Sequence, residues 1–163
     1  MAALRRTSMS ELRVPTVAMI TEILCADGRG FQGRVFVPAL ASHHTGPMRL
    51  EEWLNEPPQF FPFLPNDADA PVLMNKREVL VMTFPSPPQD EDNPEPDVPH
   101  RRVAVECEER RVEGVLVIDM PTHLSRVLDC LNRPQMFLTL HDGDRHHLVQ
   151  KERITRVLEF REG

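Results

Sequence analysis

Several residue types that often mark a function are scarce in this 163-residue chain. Tyrosine is absent, and the three cysteines, Cys25, Cys107 and Cys130, lie far apart without any C-x-x-C pair. The sequence therefore indicates neither a disulfide framework nor a zinc site. We expect the three thiols to be small buried apolar groups in a reducing compartment.

Long apolar runs are also missing. No segment reaches the roughly 18 consecutive apolar residues that a membrane-spanning helix needs. Residues 1–13, which we predict to be a flexible tail, lack the apolar stretch of a signal peptide. We therefore expect a cytoplasmic protein that does not associate with a membrane.

A basic excess is lacking as well, because 19 Lys and Arg residues stand against 25 Asp and Glu residues. Residues 1–84 hold 8 basic and 9 acidic side chains, residues 85–100 hold 0 and 5, and residues 101–163 hold 11 and 11. Neither long segment carries the positive charge that phosphate-backbone binding normally uses, so nucleic acid is not an expected partner.

Familiar catalytic motifs are absent too. The sequence contains no P-loop, dinucleotide fingerprint, nucleophile elbow or H-E-x-x-H pattern. We therefore expect a protein that is not an enzyme and that needs no cofactor.

Proline, by contrast, is abundant, and the 16 prolines argue against a helical bundle. Six of them, together with five carboxylates, lie in residues 85–100, "PSPPQDEDNPEPDVPH". This composition favours an extended polar segment, which we interpret as a linker between residues 14–84 and residues 101–163.

The two segments that flank this linker repeat each other. Residues 45–64, "TGPMRLEEWLNEPPQFFPFL", match residues 122–140, "THLSRVLDCLNRPQMFLTL", in eight of nineteen columns when one residue is omitted near Pro57. Further matching blocks lie upstream of this phrase and downstream of it, around Lys76 and Lys151. Blocks that recur in the same order indicate an internal duplication.

Each segment is predicted to form a β-β-α-β-β unit. Asp27-Gly28 and Asp142-Gly143 each separate two predicted strands, which is typical of hairpin turns. The predicted fold is α+β and mostly β, with two tandem homologous units, each a small bent sheet or partial barrel, related by a pseudo-two-fold. Because a unit of about 65 residues is small for a stable core, we expect a shared apolar interface or a homodimer.

The repeated phrase predicts a capped helix of two to three turns. Apolar residues at i, i+3, i+4 and i+7 of the second copy share one helix face: Leu124, Val127, Leu128 and Leu131. Thr45 and Thr122 are placed to cap the first turn, and Asn55 and Asn132 follow the last apolar residue, where the helix ends. Trp53 lies on the apolar face and is predicted to pack in the core.

Matched polar residues are the binding candidates: Arg49 with Arg126, Gln59 with Gln135, and Lys76 with Lys151. An arginine in the first turn opposes the helix dipole, so Arg49 and Arg126 either pair with a carboxylate of a neighbouring strand or bind an anion. Lys76 and Lys151 begin the last predicted strand of each unit and are interpreted as turn residues or as edge residues that discourage sheet-to-sheet aggregation.

A histidine-rich segment, "HDGDRHH" at residues 141–147, contains the metal candidates His141, Asp144, His146 and His147. Imidazole and carboxylate groups can ligate a divalent ion. The matching segment of the first unit, "PNDADAP", has no histidine, and Asp142-Gly143 is itself a turn signal. We therefore expect no metal site.

Residues 24–37, "LCADGRGFQGRVFV", resemble the first signature of Sm-like proteins, in which a strand, a D-G-R turn and an h-x-G-x-h strand begin a small bent barrel. Residues 74–82, "MNKREVLVM", are similar to the last-strand region of that family. This resemblance implies single-stranded RNA binding by rings of subunits. Both units also resemble small uncharacterised bacterial proteins with a G-x-h strand, a short helix ending in L-N and an N-K strand, which implies a fold arrangement and no activity.

Three functions are compatible with these observations. The preferred hypothesis is a non-enzymatic interaction, regulatory or scaffold module whose protein partner is unknown. The alternatives are a single-stranded nucleic-acid-binding Sm-like protein and a metal-assisted enzyme that uses residues 141–147.

Overall fold

The computed structural model describes residues 15–41, 44–87, 98–121, 123 and 126–161. The predicted tail at residues 1–13 and residues 88–97 of the predicted linker lie outside the described residues. Below, residues 15–87 are called the first half and residues 98–161 the second half. Among the described residues, no helix is long and apolar enough to cross a membrane.

Ten antiparallel strands form a single sheet in the order β10-β6-β7-β8-β9-β5-β1-β2-β3-β4. In chain order the strands are β1 Thr16–Cys25, β2 Gly30–Pro38, β3 Phe60–Pro65, β4 Val72–Asn75, β5 Val79–Pro85, β6 His100–Cys107, β7 Arg110–Val117, β8 Phe137–Asp142, β9 Arg145–Gln150 and β10 Ile154–Glu159. The mostly β class is confirmed. The predicted division into two separate sheets is wrong, because β5 of the first half pairs with β9 of the second and makes one continuous sheet.

Each half has one strand more than predicted. The last strand of the predicted β-β-α-β-β unit is interrupted by a 3₁₀ turn, at Lys76–Glu78 in the first half and at Lys151–Arg153 in the second. Because the chain turns there, the residues that follow leave the β4 or β9 position. They pair instead with the first strand of their own half, β1 or β6.

The predicted hairpins are confirmed where the sequence has D-G. Asp27 and Gly28 lie between β1 and β2, and Gly28 adopts a φ of 91°, which glycine tolerates without steric cost. Gly143 turns the chain between β8 and β9 in the same way, with a φ of 60°.

The helices are shorter than predicted and are capped differently. Helix α1 spans Leu50–Leu54 and helix α2 spans Val127–Leu131, five residues each. Arg49 and Arg126 are the N-cap residues, so Thr45 lies too far upstream to cap α1. The matching Thr122, and Leu124 of the predicted apolar face, lie outside the described residues.

Two apolar cores lie on opposite faces of the sheet at the β5–β9 pairing. Met82 and its cross-strand partner Leu148 belong to the core of the first half, whereas Val81 and its partner Val149 belong to the core of the second half. The two central strands are therefore buried on both faces. Each half completes its core with side chains from the other, so the expectation of a shared apolar interface is confirmed.

The three cysteines are buried and unpaired, as predicted. Burial raises the pKa of each thiol: Cys25, Cys107 and Cys130. Trp53 packs against the core of the first half, with its ring 5.4 Å from that of Phe61 in an edge-to-face arrangement.

The strand order within each half is the same: β5-β1-β2-β3-β4 in the first and β10-β6-β7-β8-β9 in the second. The last strand of each half also pairs with the first strand through a register shift beside a cysteine. Cys25 lies opposite Val79, and Cys107 lies opposite Ile154.

The gap near Pro57 in the comparison of the two repeated phrases is in the wrong place. Phe60 lies opposite Asn75, and Phe137 lies opposite Gln150, in each case one residue before the matched lysine. Phe60 therefore corresponds to Phe137, and the two halves match without a gap from the helix into the next strand. The difference in length lies in the turn between β3 and β4.

A close backbone approach fixes this match independently. A Cβ atom on Gly33 would lie 2.1 Å from the carbonyl oxygen of Leu64, and one on Gly114 would lie 3.0 Å from that of His141. Both glycines bring the second strand of a half against its third strand, which a larger residue would prevent.

Candidate functional site

A groove of about 1000 Å³ lies where the two halves meet. Its centre is formed by the paired strands β5 and β9, which contribute Thr83 and His147. Strands β1 and β2 of the first half line one side, with Glu22 and Gln32 among the lining residues, and β7 of the second half lines the other. The groove exists only because β5 and β9 pair, so it belongs to neither half alone.

A hydrogen-bonded chain of three side chains crosses the centre of the groove. Thr83 Oγ1 lies 2.8 Å from His147 Nδ1, and His147 Nε2 lies 3.0 Å from Asp142 Oδ2. The hydrogen bond from His147 is the main reason that the pKa of the Asp142 carboxyl is lowered. In the neutral form of the imidazole, the ionised carboxylate accepts the Nε2 proton, which leaves Nδ1 to accept the hydroxyl proton of Thr83.

The hydrogen bonds among Thr83, His147 and Asp142 are compatible with catalysis and with a purely structural role. A hydroxyl hydrogen-bonded to an imidazole and a carboxylate is the pattern that activates nucleophiles in acyl transfer. The same bonds also satisfy the polar groups of a cross-strand pair, because Thr83 and His147 face each other on adjacent strands. Structural pairing explains the geometry without a reaction.

Charges of both signs line the groove. Glu113 lies 3.1 Å from Arg111 and 3.8 Å from Arg102, measured between side-chain oxygen and nitrogen atoms. Arg110 adds a third cation, while Glu22 and Asp142 add two further carboxylates. The balance of charge favours a ligand that itself carries both signs, and a polyanion would meet three carboxylates.

The metal candidates are divided between two environments. His146 is buried against Phe84, with ring centroids 5.4 Å apart, and its ring centroid lies 4.1 Å from that of His141. Burial and the neighbouring imidazoles lower the pKa of His146 to about 4. His147 is instead engaged by Thr83. Across the described residues, no group of three or more His, Cys, Asp or Glu side chains could hold a metal ion.

The two predicted arginines each interact with their own helix. Arg126 donates to Asp129 at 2.9 and 3.0 Å, and Arg49 lies 3.9 Å from Glu52, also three residues ahead. The expected pairing with a neighbouring strand is therefore wrong, because the first turn of each helix supplies the carboxylate. The pair with Asp129 raises the pKa of Arg126.

Of the two predicted lysines, Lys76 is buried and Lys151 is half-buried, and each lies in a 3₁₀ turn, in agreement with the turn interpretation. The alternative role at a strand edge is wrong, because both ammonium groups bond to backbone carbonyls of their own half. Lys76 is only 2% exposed, and its Nζ donates to the carbonyl oxygen of Glu56 at 2.7 Å. Lys151 donates to the carbonyl oxygens of Leu131, at 3.1 Å, and Arg133. Each ammonium satisfies carbonyls at the end of the preceding helix, and burial lowers the pKa of both lysines.

The glutamines are not structurally matched. Gln59 Nε2 donates to Asn75 Oδ1 at 3.3 Å on the exposed side of β4. The position that corresponds to Gln59 is Met136, because Lys76 N bonds to Gln59 O and Lys151 N bonds to Met136 O. Gln135 is exposed before β8. None of the six matched candidates lines the groove, whereas two of the metal candidates, His141 and His147, do.

The groove residues were missed because their proximity depends on a pairing between distant strands. Thr83 and His147 are 64 residues apart and carry no motif. Of this pair, the sequence selects only His147, as a metal candidate. A signal was present in β5 alone, which is apolar on both faces, as is typical of strands inside a sheet. The sequence of β9 is largely polar although the strand is buried.

Comparison with protein-family models, curated proteins and solved structures finds no match. The function is therefore inferred from the residues of this chain.

Proposed function

We propose that the chain is a non-enzymatic interaction or scaffold module of the cytoplasm, and that it binds a segment of a partner protein in the groove between its halves. The observation that carries the proposal is the groove itself. It is formed jointly by both halves, has room for several side chains, and offers both cations and carboxylates. A site of this kind fits a polypeptide with mixed charges better than a nucleic-acid strand.

We further propose that the halves arose by duplication. The same strand order, the register shift at Cys25 and Cys107, and the lysine bonds to Glu56 and Arg133 support this origin. The relation between the halves is a pseudo-two-fold of the screw type. Strand order is preserved across the junction, while strand direction and core face are both exchanged.

Photo-crosslinking from both sides of the groove tests the binding proposal. A photoreactive residue would replace Gln32 on one side or Arg110 on the other, both exposed, and the matched control would replace Leu40, which is exposed and does not line the groove. We expect the two groove positions to label the same partner and Leu40 to leave it unlabelled. Equal labelling from all three positions would contradict a groove-specific partner.

Enzymatic turnover would contradict the other part of the proposal. The Thr83–His147–Asp142 chain is the arrangement among the described residues that most resembles catalytic machinery. A broad screen of ester and amide substrates should therefore compare the wild type with Thr83→Val and His147→Gln. Turnover that disappears in both variants while the fold is retained would replace the binding module with a hydrolase.

A further inference from the structure

Two strands of the sheet have a single neighbour among the described residues. They are β4, at the edge of the first half, and β10, at the edge of the second. An unpaired strand offers a row of backbone N–H and C=O groups, and soluble proteins usually protect such an edge with charges. Strand β4 has the sequence Val-Leu-Met-Asn and is unprotected in this sense, since Leu73 is 74% exposed.

The chain already contains the pairing that these two edges would form. Within the chain, the last strand of the first half (β5) pairs with the fourth strand of the second half (β9). The two unpaired edges are a last strand (β10) and a fourth strand (β4). By the register that relates the halves, Val157 of β10 corresponds to Met82, and Leu73 of β4 corresponds to Leu148.

The free amide groups lie where this pairing needs them. Ser86 N bonds to Asp144 O, so alternation along the antiparallel ladder makes Met82 and Leu148 a hydrogen-bonded pair. In β10, Phe160 N bonds to Arg102 O, which by the same alternation turns the N–H of Val157 away from β6.

In β4, Lys76 N bonds to Gln59 O, and alternation turns the N–H of Leu73 away from β3. The residue opposite Leu73 is Pro62, which has no amide hydrogen to offer. The outward groups of Val157 and Leu73 are therefore those that would correspond to the Met82–Leu148 pair.

Matched side chains of the two halves differ in burial, as expected if β4 and β10 lack the partner that β5 and β9 have in each other. Phe137 is 2% exposed because it packs into the core of the first half, whereas its counterpart Phe60 is 54% exposed. On the receiving side, Met82 is fully buried, whereas its counterpart Val157 is only partly buried. The β4 edge thus exposes apolar side chains, and the β10 edge leaves the core of the second half partly uncovered.

Polar groups at the internal junction also have counterparts at the two free edges. Asn55 of the first half accepts a hydrogen bond from the backbone N–H of Phe137 at 2.9 Å, across the junction. Its counterpart is Asn132, and the counterpart of Phe137 is Phe60. An additional charge complement is present, because Asp69 lies in the turn before β4 and Arg161 follows β10.

We propose that copies of this chain associate head to tail, with β10 of one copy pairing antiparallel with β4 of the next in the register of the internal β5–β9 junction. The pairs are Arg156 with Met74, Val157 with Leu73, and Leu158 with Val72, and Pro71 ends the ladder. Phe60 of one copy packs on the core of the second half of the next. An interface between unlike surfaces builds a ring when it closes and a filament when it does not. This inference is independent of the groove ligand.

A mixing experiment with two edge variants tests the proposal. Leu73→Pro removes the outward N–H of β4, and Val157→Pro removes that of β10, and neither N–H bonds within the chain. Analytical ultracentrifugation up to about 1 mM chain should show the wild type as larger than one 18.7 kDa chain. Each variant alone should be monomeric, and an equimolar mixture should form a complex of two chains. Leu40→Glu, at an exposed apolar residue outside both edges, should behave as the wild type.

Several results would overturn the proposal. A monomeric wild type over the whole range would exclude the association, and dimerisation of Leu73→Pro or Val157→Pro alone would indicate like-to-like contacts. Should either proline variant lose the wild-type circular dichroism spectrum, cysteine variants replace it. A mixture of Leu73→Cys and Val157→Cys should form a disulfide between chains, whereas Val72→Cys with Val157→Cys, shifted by one residue, should not.

Discussion

His146 makes the stability of this fold sensitive to mild acid. The imidazole is buried against Phe84 and its ring contacts that of His141, so desolvation, together with the charges of His141 and His147, lowers its pKa from 6.5 to about 4. Above pH 6.5 the folded and unfolded chains both hold a neutral ring, and no cost arises. Between pH 6.5 and about 4, the unfolded chain binds a proton that the folded chain does not, and stability falls as the pH falls.

The size of the effect follows from the shift. Each pKa unit corresponds to about 1.4 kcal/mol, so the loss should approach about 3 kcal/mol near pH 4. Urea unfolding of the wild type and His146→Phe at closely spaced pH values tests this group, since the titrations of distant groups cancel in the difference. Substituting the exposed His100 by glutamine is the matched control, because it removes an imidazole that lies outside both cores. Equal slopes for wild type and His146→Phe between pH 6.5 and 4 would refute the reasoning.

Two further comparisons use matched positions of the halves. Lys76→Met should cost about 1–3 kcal/mol, because it leaves the carbonyl of Glu56 without its partner, and Lys151→Met should cost less because Lys151 is less buried; urea unfolding measures both. Gly33→Ala should lower the thermal midpoint far more than Gly114→Ala, because a Cβ would lie 2.1 Å from a backbone oxygen at Gly33 and 3.0 Å at Gly114. A reversed order in either pair would contradict the geometry described above.

Local features of the fold could be predicted from the sequence because their causes are local. Gly28 and Gly143 turn hairpins through a positive φ, and the three cysteines are buried as small apolar side chains. Both predicted helices are present, but they are shorter than the two to three turns that the sequence predicts. In the first turn of α2, the Asp129 carboxylate accepts a hydrogen bond from the backbone N–H of Arg126, the N-cap residue, and no rule for hydroxyl caps selects an arginine at that position.

Features that depend on distant pairing could not be predicted in the same way. Lys76 occurs in a segment whose apolar residues suggest one long strand, and nothing nearby in sequence shows that its ammonium reaches the carbonyl of Glu56. The groove follows from the β5–β9 pairing, which joins Thr83 to His147. The sequence therefore favours an exposed turn or edge position for Lys76. In the structure, its ammonium is instead buried and donates to a carbonyl that follows helix α1.

The covalent connection decides which of two similar junctions forms first. The chain continues from β5 directly to β6, so the second half, with β9, is covalently tethered to β5 and meets it at an effective concentration in the millimolar range typical of short tethers. The β4–β10 pairing has no tether. It also has Asn75 where the internal junction has Gln150, whose side-chain amide bonds to the carbonyls of Lys76 and Val79 at 2.7 and 3.0 Å. Association between chains should therefore be weaker than the internal junction and should depend on concentration, so that each chain completes its own fold before it pairs with another.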